Sequence, residues 1–210
     1  MRVISDYLDT IPDISATEKA KLNYFFSCIV YEGSKIILFL LFFTITGHLK
    51  EFLYSILILL PLRIISGGLH FKHYLSCFAF SFGYFYVVTT PLRSMIPTFG
   101  ITFVTLCICV LVNFHVGPVT SDSRPALSAK DIKQGKLHIL VATIYDAILT
   151  IVLYDTELAP IGFWTILLHS VQLVQVLILF FYHYYHIMPP LHYQVKSLLI
   201  LSFRRLLFSL

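Results

Sequence analysis

The stretch Thr98–His115, TFGITFVTLCICVLVNFH, contains no lysine, arginine, aspartate or glutamate. Coiled as a helix it would reach about 27 Å, close to the ~30 Å hydrocarbon core of a bilayer. Working outward, five further apolar segments flank it: residues 34–47, 52–66, 74–91, 137–154 and 158–182. Several fall short of the ~20 residues that a perpendicular span needs, and the second carries charge near its ends. Composition points the same way. Of 210 residues, 58% are hydrophobic and 12% are charged, and the mean hydropathy is +0.83. A soluble domain carries about 25% charged residues, so half that charge cannot cover a water-soluble globule. The net charge of +4 is spread among apolar runs rather than gathered into a basic stripe, so nucleic acid is excluded as a partner.

These segments predict an all-α polytopic membrane protein with six transmembrane helices. Residues 1–32 read as amphipathic helix on the membrane interface. Leu22, Phe25, Phe26, Ile29 and Val30 form one apolar stripe, and Ser15–Glu18 forms a capping box. The alternative is that this stripe is the first half of a long span continuing through Gly33. Asp6, Asp9 and Asp13 stand where a cleavable signal would need an apolar core. With the N-terminus in the cytoplasm and six crossings, every lysine and arginine except Lys50 and Arg93 falls inside, which the positive-inside rule favours. Both termini are then cytoplasmic. Residues 33–187 form the membrane domain, residues 116–136 a polar cytoplasmic loop with Pro118 and Pro125, and residues 188–210 an interfacial tail.

The chemistry concentrates in Arg63–Cys77, RIISGGLHFKHYLSC, between the second and third spans. Arg63 puts a permanent cation at a membrane edge, which is costly unless it is paired or snorkels. Gly67–Gly68 breaks a helix and lets backbone N–H groups approach a ligand. His70 and Cys77 are candidates for a catalytic dyad. A thiol becomes a strong nucleophile only as thiolate, and an adjacent imidazole can take its proton. Attack on a peptide carbonyl would give an oxyanion, stabilised by N–H groups near Gly67 and Gly68, and then a thioester. Arg63 would bind a substrate carboxylate or hold the turn. On one straight helix, seven residues separate the two side chains by ~10.5 Å of rise, beyond hydrogen-bond reach. The dyad therefore predicts a break between Gly67 and about His73.

Other readings of the same residues are plainer. Cys28, Cys107 and Cys109 read as small core residues, and the four cysteines show neither a disulfide framework nor a CxxC pair. His183 and His186 read as interfacial anchors amid tyrosines. No metal or cofactor motif is present, and the absence of HExxH excludes the common metalloprotease pattern. Ser66, Ser76, Ser81 and Asp146 are candidates for orienting His70. Asp146, an acid inside the fifth span, also favours a different class, a non-catalytic peptide carrier or exporter. A receptor with an inert Cys77 is a third class.

The pattern Arg63-x3-Gly67-Gly68-x-His70-x6-Cys77-x3-Ser81 resembles the signature of the accessory gene regulator B (AgrB) family, bacterial membrane cysteine peptidases. Pro118–Val119 followed by Asp122–Ser123–Arg124–Pro125 is similar to a second family motif, with Ser123 where asparagine is common. The resemblance implies a peptidase of the bacterial cell membrane that processes an AgrD-like quorum-sensing propeptide. It implies Cys77 as nucleophile, His70 as general base, and resolution of the thioester by an internal cysteine or serine of the propeptide into a thiolactone or lactone. It also implies a homodimer. The basic segment with Arg124, Lys130, Lys133 and Lys136 would then suit the acidic tail that such a propeptide loses.

Overall fold

A computed structural model describes residues 16–67, 73–119 and 129–187 of the chain. Among them the regular structure is entirely helical. The helices are α1 (Ala16–Ile45), α2 (Leu49–Ser66), α3 (Tyr74–Thr89), α4 (Phe99–Val116), α5 (Ala129–Val152) and α6 (Ala159–Ile187). Three contain segments long and apolar enough to cross a membrane: Phe99–Val116, Ile132–Val152 and Ala159–Leu179, and α3 is a shorter apolar helix. Large aliphatic side chains such as Ile37, Leu41, Leu57, Ile108, Val141 and Ile148 are more than half exposed along these helices. So much outward-facing apolar surface suits lipid rather than water.

The ends of the helices follow from local chemistry. At the end of α1, Gly47 adopts φ 75°, a left-handed value that costs glycine little. The His48 N–H then donates to Phe43 O at 2.8 Å and the Gly47 N–H to Thr44 O at 3.2 Å. This pair of bonds is a Schellman motif, which satisfies carbonyls that the helix leaves open. The short link makes α1 and α2 antiparallel neighbours. α1 itself passes through Gly33 without interruption. From Ala16 onward, therefore, no break separates the expected interfacial segment from the first apolar run. Glycine costs only about 1 kcal/mol inside a helix, which the residues on either side offset.

Helix α6 is the centre of the bundle. Half of its apolar segment is buried inside the protein, against 22% for those of α4 and α5. It packs on α2, α4 and α5, while α1 and α3 lie against α2 on one side. Small and hydroxylic residues bring the central helices close. A Cβ at Gly162 would lie 2.5 Å from Thr150 Oγ1 and 3.3 Å from Ile58 Cδ1. Ser55 and Thr165 share a hydrogen bond at 2.9 Å, and Tyr84 OH donates to Thr165 O at 2.7 Å. Close approach and interhelical hydrogen bonds replace the hydrophobic drive that lipid cannot supply.

On the other side, phenylalanines join α1, α2 and α3. Phe43 stacks on Phe52 with centroids 4.6 Å apart, Phe39 meets Phe78 at 5.1 Å, Phe42 meets Phe82 at 4.9 Å, and Phe52 meets Phe85 at 5.0 Å. Phe39, Phe42 and Phe43 lie about one and two turns beyond Lys35, and Phe78, Phe82 and Phe85 follow Cys77 at helical spacing. The aromatic seam thereby sets the register between the segments carrying Lys35 and Cys77.

The end of the bundle away from Cys77 is tied by polar bonds. Arg93 lies 2.9 Å from His48 Nδ1 and 3.5 Å from Glu51 Oε1. Tyr154 OH donates to Pro97 O at 2.9 Å, and Trp164 Nε1 donates to Met95 O at 2.6 Å. The α3–α4 connection is thus fastened to α2, α5 and α6 together.

One segment differs from expectation. Residues 129–136, read as part of the loop 116–136, already form the first turns of α5. Alanine, lysine and glutamine are good helix formers, and no proline follows Pro125 there. A helix can carry its charges past an apolar run as solvated turns, so polarity alone did not mark a loop.

Candidate functional site

The site lies where α2 ends and α3 begins. Helix α2 stops at Ser66, and Gly67 turns with φ 82° and ψ −150°. Helix α3 starts at Tyr74 after an extended His73. Residues 66–80 therefore do not form one helix. His70 and Gly68 lie outside the described residues, as do Asp122, Arg124 and Pro125. The Gly67 N–H donates to Arg63 O at 3.1 Å. It closes the last turn of α2 and is not available to an oxyanion, contrary to the expectation from sequence.

Ser66 is wholly buried and anchors this turn. Its Oγ lies 2.6 Å from Leu62 O and 2.9 Å from His169 Nε2. A hydroxyl has one proton, and the shorter contact to a carbonyl takes it, so Ser66 accepts from His169 Nε2–H. Ser66 O in turn accepts the Val119 N–H at 2.8 Å. A Cβ at Gly135 would lie 3.2 Å from Pro118 Cγ, so the first turns of α5 close over the same place. Pro118–Val119 and the Arg63–Cys77 segment thus meet at Ser66, 53 positions before Val119 in sequence. Ser66 is committed to these partners, which argues against its orienting His70.

Cys77 stands in the first turn and a half of α3 and is 9% exposed. Its thiol faces α1, where Lys35 Nζ lies 3.2 Å from Sγ. The Lys35 side chain is 4% exposed and also holds Glu32 Oε1 at 2.6 Å, while the Glu32 side chain is 61% exposed. The ammonium stands 5.5 Å from the centre of the Tyr74 ring. Ser34 Oγ donates to Tyr31 O at 2.9 Å and accepts from Tyr74 OH at 2.8 Å. The first turn of α3 is pinned to α1 by that chain of bonds and by a Tyr31–Tyr74 ring contact at 5.4 Å.

Beside this cluster is a cavity of about 80 Å³ lined by Glu32, Lys35, Phe39, Leu59, Arg63 and Ser81, among others. Lys35 therefore touches the thiol and borders the cavity at once. Arg63, half-buried in the last turn of α2, reaches the same cavity. Ser81 is one turn beyond Cys77 on the same face. Lys130 and Lys133 are exposed on α5, and Lys136 is partly buried with Nζ 5.9 Å from the centre of the Phe114 ring. Asp146 is buried deep in α5, and its Oδ2 has no hydrogen-bond partner among the described residues.

Arg63 and Ser81 line the cavity beside Lys35, which touches Cys77; the sequence reading did not include Lys35, Glu32, Tyr74 or His169. The signal for Lys35 was available. It is a charged residue at the mouth of an apolar run, the same anomaly that singled out Arg63.

The fold and the site define a helical membrane protein in which a buried thiol at the head of an apolar helix rests against an ammonium. Residues 1–176 match the accessory gene regulator B family, and the chain belongs to that family. It is also similar to an AgrB-like protein of Clostridium beijerinckii, 27% identical over 122 residues, which cover 57% of this chain and 61% of the relative. The match thus spans about three-fifths of the curated relative. No solved structure matches the chain.

Proposed function

We propose that this protein is a membrane-embedded cysteine endopeptidase that cleaves an AgrD-like propeptide and promotes its closure into a thiolactone or lactone. Family membership links the chain to accessory gene regulator quorum sensing and to peptide processing. The observation that carries the catalytic reading is the buried thiol of Cys77 at the start of α3, next to a cavity with two cations. A helix start carries partial positive charge, which stabilises negative charge that develops there during acyl transfer. The N–H groups of Tyr74, Leu75 and Ser76 lie outside the helical ladder of α3 and have no side-chain cap from His73. They are better candidates for oxyanion donors than Gly67.

In this reading His70 takes the Cys77 proton, and the sulfur bonds to the scissile carbonyl carbon. The proton passes to the leaving amine as the C–N bond breaks, leaving a thioester on Cys77. An internal thiol or hydroxyl of the propeptide then attacks that carbonyl, closes the ring and expels the Cys77 sulfur. Arg63 and the lysines of α5 attract the acidic portion of the propeptide. Six crossings with both termini in the cytoplasm place this end of the bundle on the cytoplasmic side, as the distribution of basic residues supports.

The test is incubation of the purified protein in proteoliposomes with a synthetic propeptide. Cleavage should occur with the parent protein and vanish with Cys77→Ala and with His70→Ala. A denaturing mass spectrum should show an acyl adduct on Cys77. One alternative keeps an observation of its own. Buried Asp146, with a carboxylate oxygen unpartnered among the described residues, suits a peptide carrier. A carrier would cleave nothing and would move peptide with Cys77→Ala.

A further inference from the structure

We infer that Lys35 is a catalytic residue of this site, the cation that holds the Cys77 sulfur as a thiolate before attack and receives it again as the leaving group. The inference rests on the peptidase reading above. It begins from geometry. Lys35 Nζ is 3.2 Å from Cys77 Sγ, within charge-assisted contact, and the lysine side chain is almost wholly buried. A buried ammonium is costly unless paired. Of its two contacts, Glu32 is mostly exposed, so water screens that pair and leaves it weak. The Cys77 sulfur is the contact inside the protein.

The surroundings fix this contact. Tyr74, one turn before Cys77, is tied through Ser34 to the backbone of α1, and its ring flanks the ammonium. The phenylalanine seam beyond Lys35 and Cys77 prevents α1 and α3 from sliding past each other. Glu32 on α1 and Arg63 on α2 are the other charged groups that border the cavity beside Lys35. Arg63 lines the same cavity as Lys35 and adds positive charge from α2.

Two steps of the reaction use the same ion pair. In the first, the thiol proton leaves for the general base, and Lys35 stays protonated and balances the charge left on sulfur. In the second, the propeptide nucleophile displaces sulfur from the acyl carbon, and the electron pair returns to Cys77 facing the same ammonium. Lys35 neither gains nor loses a proton over the cycle. A nucleophile that is also a good leaving group suits acyl transfer to an internal acceptor.

The experiment needs no propeptide. The full chain in detergent micelles is treated with iodoacetamide from pH 5 to pH 9, and alkylation of Cys77 is followed by peptide mass spectrometry. Exposed Cys107 is the internal reference. Lys35→Met should slow Cys77 alkylation about tenfold at pH 7 and move its profile to higher pH, with Cys107 unchanged. Lys35→Arg should keep most of the parent rate. Glu32→Gln, at a mostly exposed side chain, removes the competing anion and should speed Cys77 about threefold. A Lys35→Met profile that superimposes on the parent overturns the inference, as does an equal change at Cys107. If Lys35→Met loses its helical circular dichroism, Glu32→Gln decides alone, and an unchanged rate rejects the ion pair. Cleavage with a Lys35-independent profile would reject the inference and keep the peptidase. A Lys35-dependent profile without cleavage would do the reverse.

Discussion

Removing one hydroxyl, by Ser66→Ala, should destabilise the bundle more than its size suggests. Ser66 and His169 are 0% and 1% exposed, and Ser66 Oγ accepts from His169 Nε2–H at 2.9 Å. His169 Nδ1 has no hydrogen-bond partner among the described residues. Ser66→Ala would therefore strand the second nitrogen as well. Leaving a buried polar group unmet costs about 1–3 kcal/mol, whereas replacing both partners by apolar groups is nearly neutral. In membranes such couplings average about 0.6 kcal/mol and reach about 1.7 kcal/mol, because the unfolded chain also finds partners. Burial of both groups puts this pair at the upper end, about 1–2 kcal/mol. The assay is a double-mutant cycle of Ser66→Ala with His169→Leu, followed by unfolding in mixed detergent micelles. The chain has one tryptophan, Trp164, so its fluorescence reports on the bundle directly. Ser66→Ala alone should cost more than the same change made in the His169→Leu background. Additivity within about 0.3 kcal/mol would refute the pairing.

Three other outcomes follow from the packing. Gly117→Ala would bring a Cβ within 2.7 Å of Ile139 Cδ1 and 3.0 Å of Asn113 O; backbone cannot yield as a side chain does, so a loss of about 1–3 kcal/mol and weaker propeptide cleavage are expected in thermal unfolding and processing assays. Phe43→Ala should cost about 3–5 kcal/mol, since Phe43 is wholly buried and stacked on Phe52; proteolysis near the α1–α2 link should rise in parallel. Reversing the charges at Lys130, Lys133 and Lys136 should weaken processing of an acidic propeptide, most at low salt, and unchanged kinetics at low ionic strength would remove these lysines from substrate binding.

The helices were legible because their ends carry strong local signals. Uncharged runs define α4 and α6, Pro91 lies just beyond α3, and Gly67 stands where α2 stops. These are short-range effects that a chain expresses wherever it folds. The start of α5 was not legible, because lysines on a solvated helical turn and lysines in a loop have the same composition. The contact between Lys35 and Cys77 was less legible still. It joins residues 42 positions apart, and it exists because Phe39 and Phe42 meet Phe78 and Phe82 in one register. A shift of one turn would leave the sequence pattern intact and move the ammonium by about 5 Å. His169 was hidden for the same reason, since its partner Ser66 comes from a helix 103 positions earlier.

The polar fastening around Arg93 has a mechanical consequence. It fixes one end of α3, and Cys77 sits 12 residues away from the last residue of that helix, a lever arm of about 18 Å. A tilt of about 10° about the fastened end would carry the sulfur sideways by about 3 Å, which is as far as the 3.2 Å that separates it from Lys35. The two ends of one short rod thus have opposite duties. One is a pivot, and the other is a pair of jaws whose gape is measured in the same few ångströms as the contact between them.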